Sequence, residues 1–379
     1  MRNLIELAYK LLLAIITLAS SLLFAEVGFR VLGPQGGEFV LDATLGFFDP
    51  SLYLRDETLI SRPAPNADVE IQAIEYTTRV QTNSLGIRGS EVQRKSEDEL
   101  RVLAIGDSFT LATQVQQEET FTELLEPLLR ERLGRRVTVY NAGVDGYGTQ
   151  QAIGWMDRLL QKVEPDAILL TFYTGNDLRD NARLPQRLMG ELPTESPPPT
   201  ELTPQERAFQ SKLAKHFTMY AFFKRHLALR SMADDFRIQE YRDEILPFTD
   251  EGSLERLVPA TEVVLERFWE RCQDLQLQCM VALAPPAYVI DTQRTSATFR
   301  AFGLDPSLAR LDIPAHTVAK AAPEGLTVLD LAPALREAKT KDPLYYTFDP
   351  HWTPAGHEVV SQALAEPLVD VIWAPHRKP

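Results

Sequence analysis

One pattern constrains this chain more than any other. A short apolar run closes on a small cluster of glycine and polar residues, a stretch of helical spacing follows, and the unit repeats. Arg101-Val102-Leu103-Ala104-Ile105 runs into Gly106-Asp107-Ser108, and Val137-Thr138-Val139-Tyr140 into Asn141-Ala142-Gly143. Ala167-Ile168-Leu169-Leu170-Thr171-Phe172 ends at Gly175-Asn176-Asp177. Between them Phe121, Leu124, Leu125, Leu128, Leu129 and Leu133 share one side of a helix, and a second helix is expected through Met156, Leu159 and Leu160. Strands that alternate with helices build a parallel sheet with helices on both faces. Ligands bind such sheets in the loops beyond the strands' carboxyl ends, so all three polar clusters are expected on one rim.

The pattern lapses from Pro185 to Pro204 into Pro, Glu, Thr and Ser, which reads as a loop or stiff linker. Phe209, Leu213, Phe217, Tyr220, Phe223 and Leu227 then recur at threes and fours, the stripe of an amphipathic helix. It is read as part of a helical insertion at about 181–250 that caps the sheet; a helix lying on a membrane surface is the alternative. Beyond it the alternation resumes. Leu257, Thr261, Val264, Leu265, Phe268, Cys272 and Leu275 form one helical face, Met280–Leu283 and Leu326–Leu329 are strands, and Ala355–Leu368 is a closing helix. The expected fold class is a doubly wound parallel α/β sheet, with the sheet domain over 100–379.

Residues 1–33 read as an address. Leu11–Ala25 carries no charge, and counting from Leu4 gives a helix of about 33 Å, enough for a hydrocarbon core of about 30 Å if Glu6 and Lys10 are tolerated. Arg2 and Lys10 favour a cytoplasmic N-terminus and an exported body. An uncleaved transmembrane anchor is expected, with a cleaved signal peptide and a buried helix as alternatives. Residues 34–99 then form an extracytoplasmic neck with short strands, for which Glu75–Val80 supplies β-formers and Asn83–Gly86 a turn.

Composition removes several classes of function. With 39 basic against 53 acidic residues the formal charge is −14, a surface that repels phosphate backbones, so no nucleic-acid partner is expected. Two cysteines make neither a disulfide scaffold nor a four-cysteine zinc site. His351 and His357 lack a third ligand nearby, so neither metal nor cofactor is expected. Whether Cys272 and Cys279 form a disulfide is left open: an oxidising compartment would allow the bridge, yet Cys272 also fits the buried face of its helix.

The polar clusters suit nucleophilic chemistry. A serine hydroxyl needs a base within hydrogen-bond reach, and the base needs an orienting carboxylate. Ser108 follows a strand directly; His351 can serve as base; Asp349, in Asp349-Pro350-His351-Trp352, can hold the far ring nitrogen if the loop curls. Acyl transfer also needs donors for the developing oxyanion, and the Ser108 and Gly143 backbone N–H groups with the Asn176 amide would supply three. The blander readings make Ser108 a helix cap, Asp177 a structural carboxylate and His357 a packed histidine. Tyr345, Tyr346 and Trp352 either line a sugar site or pack.

Taken together, Gly106-Asp107-Ser108-Phe109, the glycine of Asn141-Ala142-Gly143, Gly175-Asn176-Asp177 and Asp349-Pro350-His351 resemble the blocks of the SGNH/GDSL hydrolases, in that family's order. The resemblance covers about 100–180 and 255–370. It implies a flavodoxin-like sheet, with Ser108 as nucleophile, Gly143 and Asn176 as oxyanion donors, His351 as base and Asp349 as its orienter. Only one residue separates Asp349 from His351 where the family has two, and glycine stands beside Asn176 with Thr174 in its usual place. An exported, anchored form is similar to bacterial proteins that handle O-acetyl groups on surface polysaccharides. The expected substrate is therefore an ester-bearing molecule, an acylated glycan among the candidates. An O-acetyltransferase with the same acyl-enzyme and a non-catalytic glycan-binding envelope protein are the alternatives, and the oligomeric state is left open.

Overall fold

The computed structural model describes residues 2–32, 50–73, 75–188, 242–347 and 349–373. Its first strands belong to the expected neck: β1 (Tyr53–Asp56), β2 (Ile60–Pro63), β3 (Asp68–Gln72) and β4 (Thr77–Gln81) pair as two antiparallel hairpins. The apolar runs then become β5 (Glu99–Gly106), β6 (Arg136–Gly143), β7 (Ala167–Tyr173), β8 (Gln278–Ala284) and β9 (Thr327–Asp330). These form one parallel sheet in the order β6-β5-β7-β8-β9. The chain starts in β5, steps out to β6 and returns past β5 to β7. That reversal is the crevice where doubly wound sheets hold ligands, and Ser108 lies at the end of β5.

The helices that frame the sheet and the site are α1 (Arg2–Leu32), α2 (Ser108–Leu111), α3 (Phe121–Leu133), α4 (Thr149–Val163), α5 (Asp177–Leu188), α6 (Glu251–Asp274), α7 (Ile313–Ala321) and α8 (Pro354–Trp373), with further helices at Ala287–Ile290, Thr292–Ala301 and Ala332–Glu337 between α6 and α8. Side chains alternate along each strand. Leu103, Ile105, Ile168 and Leu170 point to one face and pack with Trp155 and Met156 of α4, Phe268 of α6 and Val318 of α7. Val102, Ala104, Ala167 and Leu169 point to the other, against Phe121 and Leu125 of α3 and Leu364 and Leu368 of α8. Both faces are covered, which is why these strands read as unbroken apolar runs.

The expected neck is not a spacer over its described residues. Leu52, Leu59, Val69, Ile71, Val80 and Ile87 are buried in the same cluster as Tyr140, Tyr147 and Trp155. The polar stretch placed at 185–204 begins later than expected, since α5 continues to Leu188. The helix expected over 209–227 and most of the insertion lie outside the described residues. Cys272 and Cys279 are joined in a disulfide that ties the end of α6 to β8.

The N-terminal segment is helical, with Leu12, Leu13, Ile16, Leu22, Leu23 and Phe24 exposed and Glu6 paired to Lys10 at 3.1 Å. No helix among the described residues is long and apolar enough to cross a membrane, so the structure does not support the expected transmembrane span. The uncharged stretch between Lys10 and Glu26 is, at about 1.5 Å per residue, shorter than a bilayer core.

Candidate active site

The turn that presents Ser108 depends on a close approach. Gly106 ends β5 at φ +152°, and a Cβ there would lie 2.8 Å from the Thr171 carbonyl oxygen and 2.5 Å from Thr110 Oγ1. Only glycine lets the strand turn so tightly against β7. Asp107 then caps the short α2, its Oδ1 accepting the Phe109 N–H at 2.9 Å, and Ala112 in the left-handed conformation ends the helix. Ser108 therefore stands half-buried on a fixed one-turn helix, with its hydroxyl on the rim.

His351 comes from the loop between β9 and α8. That loop is doubled back on itself: Tyr346 N–H donates to the His351 carbonyl at 3.1 Å, Thr353 N–H to Leu344 O at 3.0 Å, and Arg294 donates to the Tyr346 carbonyl at 2.8 Å. Trp352 is fully buried against Phe109, and the Phe109 ring lies 4.7 Å from the His351 ring, so the residue after the serine carries the histidine. His351 Nε2 is 2.6 Å from Ser108 Oγ. His351 Nδ1 is 2.5 Å from Asp349 Oδ1, which also accepts the His351 backbone N–H at 2.9 Å. The short Asp-Pro-His spacing thus works: one carboxylate oxygen takes both the main-chain and the ring N–H of the residue two ahead.

The electrostatics follow from burial and a concentration of carboxylates. Burial opposes the charged form of His351, but Asp349, Asp145 and Asp107 outweigh it and hold its pKa above the ordinary value. Burial would raise Asp349, yet His351 and the hydrogen bonds from His351 and Tyr76 bring it below the usual carboxylate range. Asp107 is pushed up to about 7, chiefly by burial, and Asp177 is raised well above the usual carboxylate range by burial and by the Asp107 charge. Asp177 accepts the Tyr173 N–H at 3.0 Å and the Thr149 hydroxyl at 3.3 Å, which fits the structural role expected of it.

Two of the three expected oxyanion donors stand at the rim. Ser108 is at the start of α2. Asn176 follows β7, and its buried Oδ1 has no hydrogen-bond partner among the described residues. Gly143 is a correction. Its N–H donates to Asn141 Oδ1 at 3.1 Å, and a Cβ there would lie 2.2 Å from the Leu111 nitrogen. The residue is a glycine so that β6 can press against α2, and its N–H is already committed. Asn141 completes that brace by donating to the Thr110 carbonyl at 2.6 Å. The next turn, Val144 to Tyr147, closes through a Tyr147 N–H to Val144 O bond at 3.2 Å. Its corner residue Gly146 has φ +72° and open space on its Cα, and its N–H has no partner among the described residues. A motif of three residues could not distinguish these two glycines.

Sequence reading also missed Arg88. This buried guanidinium donates to the carbonyls of Leu111, Ala112 and Val115 and to Gln117 Oε1, and so clamps the loop behind Ser108. Tyr53, Glu75 and Tyr76 were missed as well: Tyr53 donates to Asp145, Tyr76 to Asp349 Oδ2 at 2.7 Å. Of the aromatic residues weighed for a sugar site, Trp352 and Tyr345 are buried in packing and Tyr346 is half-buried beside Tyr76. His357 is buried and structural, its Nδ1 accepting the Phe121 N–H at 3.2 Å. Among the described residues no group of histidines, cysteines and carboxylates could hold a metal ion.

Residues 104–359, well over half of the chain, match a family model described as GDSL-like lipase/acylhydrolase. Solved structures similar to the chain include a psychrotrophic esterase EstA from Pseudoalteromonas sp., at 12% identity and TM-score 0.34, covering 71% of this chain and 96% of that one. A lipase/acylhydrolase from Enterococcus faecalis is 14% identical with TM-score 0.32, covering 71% and 95%. A catalytic mutant of Axe2, an acetylxylan esterase from Geobacillus stearothermophilus, is 16% identical with TM-score 0.33, covering 72% and 94%. No curated protein matches the chain.

Proposed function

The chain belongs to the GDSL-like lipase/acylhydrolase family, and from that premise we propose that this ester hydrolase works through Ser108, His351 and Asp349. The observation that carries the reading is the unbroken contact from Ser108 Oγ to His351 Nε2 at 2.6 Å and from His351 Nδ1 to Asp349 at 2.5 Å. Asp349 fixes the tautomer in which Nδ1 holds the proton and Nε2 accepts one. As Ser108 Oγ attacks an ester carbonyl, its proton passes to Nε2. The oxyanion is met by the N–H groups of Ser108 and Gly146 and by Asn176 Nδ2. The C–O bond of the leaving alcohol then breaks as His351 returns the proton to it, leaving an acyl-Ser108. Water, deprotonated by His351, attacks that ester and releases the acid.

The substrate class we favour is a small O-acyl group on a carbohydrate of the cell envelope. Export is part of the same proposal. It is supported by the apolar N-terminal helix with its exposed side chains and by the Cys272–Cys279 disulfide, a bond that persists in oxidising compartments and is rare in the cytosol.

The test is hydrolysis of p-nitrophenyl acetate together with labelling by a fluorophosphonate serine probe. Wild type is expected to turn over the ester and take the label at Ser108, and Ser108→Ala to do neither. Wild type that does neither would overturn the reading. Adding an oligosaccharide acceptor separates water from a sugar hydroxyl as the second nucleophile.

A further inference from the structure

The β3–β4 hairpin lies outside the residues matched by the family model, which begins at 104, yet its turn is bonded to the loop that carries His351. Tyr76 Oη donates to Asp349 Oδ2 at 2.7 Å. One residue earlier, Glu75 accepts from the backbone on both sides of residue 348: the Thr347 N–H at 2.7 Å and the Asp349 N–H at 3.2 Å. The Tyr76 ring also packs on Tyr346, at 5.1 Å between centroids. The same N-terminal segment reaches the site a second time through Tyr53, which donates to Asp145 in the turn beside Gly146.

We propose that Glu75 and Tyr76 are positioning residues for the acyl-transfer site, a clasp from the N-terminal hairpin that holds the Asp349–His351 pair in register with Ser108. The inference rests on the hydrolase reading above for its kinetic consequence, but its geometry does not. The need for a clasp comes from the Asp-Pro-His spacing. With a single residue between them, Asp349 Oδ1 is shared by the ring and main chain of His351. The carboxylate is then oriented only if its second oxygen is held from outside the loop, and Tyr76 holds it. Glu75 fixes the backbone that sets where the carboxylate starts. An ionised side chain taking two main-chain N–H groups is a strong tether for a loop.

The experiment uses the full chain and three variants, Tyr76→Phe, Glu75→Gln and the double change, with Arg79→Ala as the control. Arg79 sits on the same hairpin in an exposed pair with Asp68. Tyr76→Phe keeps the ring on Tyr346 and removes only the hydroxyl. Two quantities are read: kcat and KM for p-nitrophenyl acetate, and the titration midpoint of His351 by nitrogen-15 NMR. The groups facing His351 are Asp349, Asp145 and Asp107; those facing Asp349 also include Glu75, Tyr76 and Tyr346. All but the substituted pair are unchanged across the set.

Each single variant is expected to lose about tenfold in kcat with KM within twofold of wild type. The His351 midpoint should fall toward the ordinary histidine value as Asp349 swings free, while Arg79→Ala changes neither. A double variant that keeps the wild-type His351 midpoint overturns the inference whatever happens to kcat. Failure of wild type to turn over ester would instead overturn the hydrolase reading, and the NMR titration would still decide this one.

Discussion

At the scale of single residues, the role proposed for His351 turns on its charge state. A general base must be neutral at Nε2, and three carboxylates favour its protonated form. The sign is therefore set: activity is absent at low pH and rises as His351 loses its proton, through a midpoint above the ordinary histidine value of 6.5. Ester hydrolysis followed as kcat/KM against pH checks this directly, because that quantity reports the free enzyme. Replacing Asp349 by Asn removes the nearest of the three charges and reverses the hydrogen bond that selects the tautomer. Its profile should shift to lower pH and its rate fall on the order of 10⁴-fold. A wild-type limb at or below 6.5 would mean that burial, which acts in the opposite direction, dominates the site.

Helices and strands hold this rim through joints at their ends, and His357 is such a joint. It stands in the first turn of α8, and its Nδ1 accepts the N–H of Phe121, the first residue of α3. Helix N-termini leave such N–H groups without intrahelical partners, so here one helix caps another. Burial forces the imidazole to stay neutral, with its pKa brought down to about 3. His357→Phe keeps a ring against Phe121 and Trp352 but strands the buried N–H, at a cost of about 1–3 kcal/mol. The sign of the pH dependence follows from the depressed value. The unfolded chain takes up a proton near 6.5 that the folded chain refuses until about pH 3, so wild type loses stability as pH falls through that window. The phenylalanine variant lacks this term. Urea unfolding at pH 7.5 and pH 4.5 should show the gap between the two proteins narrowing at the lower pH; a constant gap would count against a neutral buried His357. This element level is also where the sequence was most legible. The strand expected at Ala167–Phe172 is observed at Ala167–Tyr173, and that expected at Met280–Leu283 at Gln278–Ala284. Strands buried on both faces are marked by composition alone. The contact among Ser108, His351 and Asp349 could be expected too, because Ser108 closes a strand run and Asp349 and His351 share one short cluster. Glu75 and Tyr76 were not, because nothing within their own hairpin announces contacts to residues more than 270 positions away. Gly143 misled for a related reason: a spacing names the turn but cannot say which of its N–H groups is already spent on Asn141.

Over the whole molecule, the hairpins and the sheet share one core. Leu52, Leu59, Val69, Ile71 and Val80 cover Tyr140, Tyr147 and Trp155. Arg88 crosses from the neck to the α2 loop and pairs its backbone with Asn141 of β6, covering the edge strand. An uncovered parallel edge with exposed aromatic residues would be open to association with other chains. The family-sized piece of the protein should therefore not stand alone. A chain beginning at residue 50 keeps every one of these contacts and should unfold at about the temperature of the full protein. A chain beginning at residue 99 uncovers the β6 edge, loses the Arg88 clamp on the nucleophile loop and loses the Tyr76 bond to Asp349. It should aggregate or unfold well below that temperature and show no serine-probe labelling. Thermal unfolding and size-exclusion chromatography of the two truncations, in parallel, check the expectation. A monodisperse 99–379 fragment that melts with the full chain and takes the label would mean that the hairpins are an accessory to this fold and not part of its active unit.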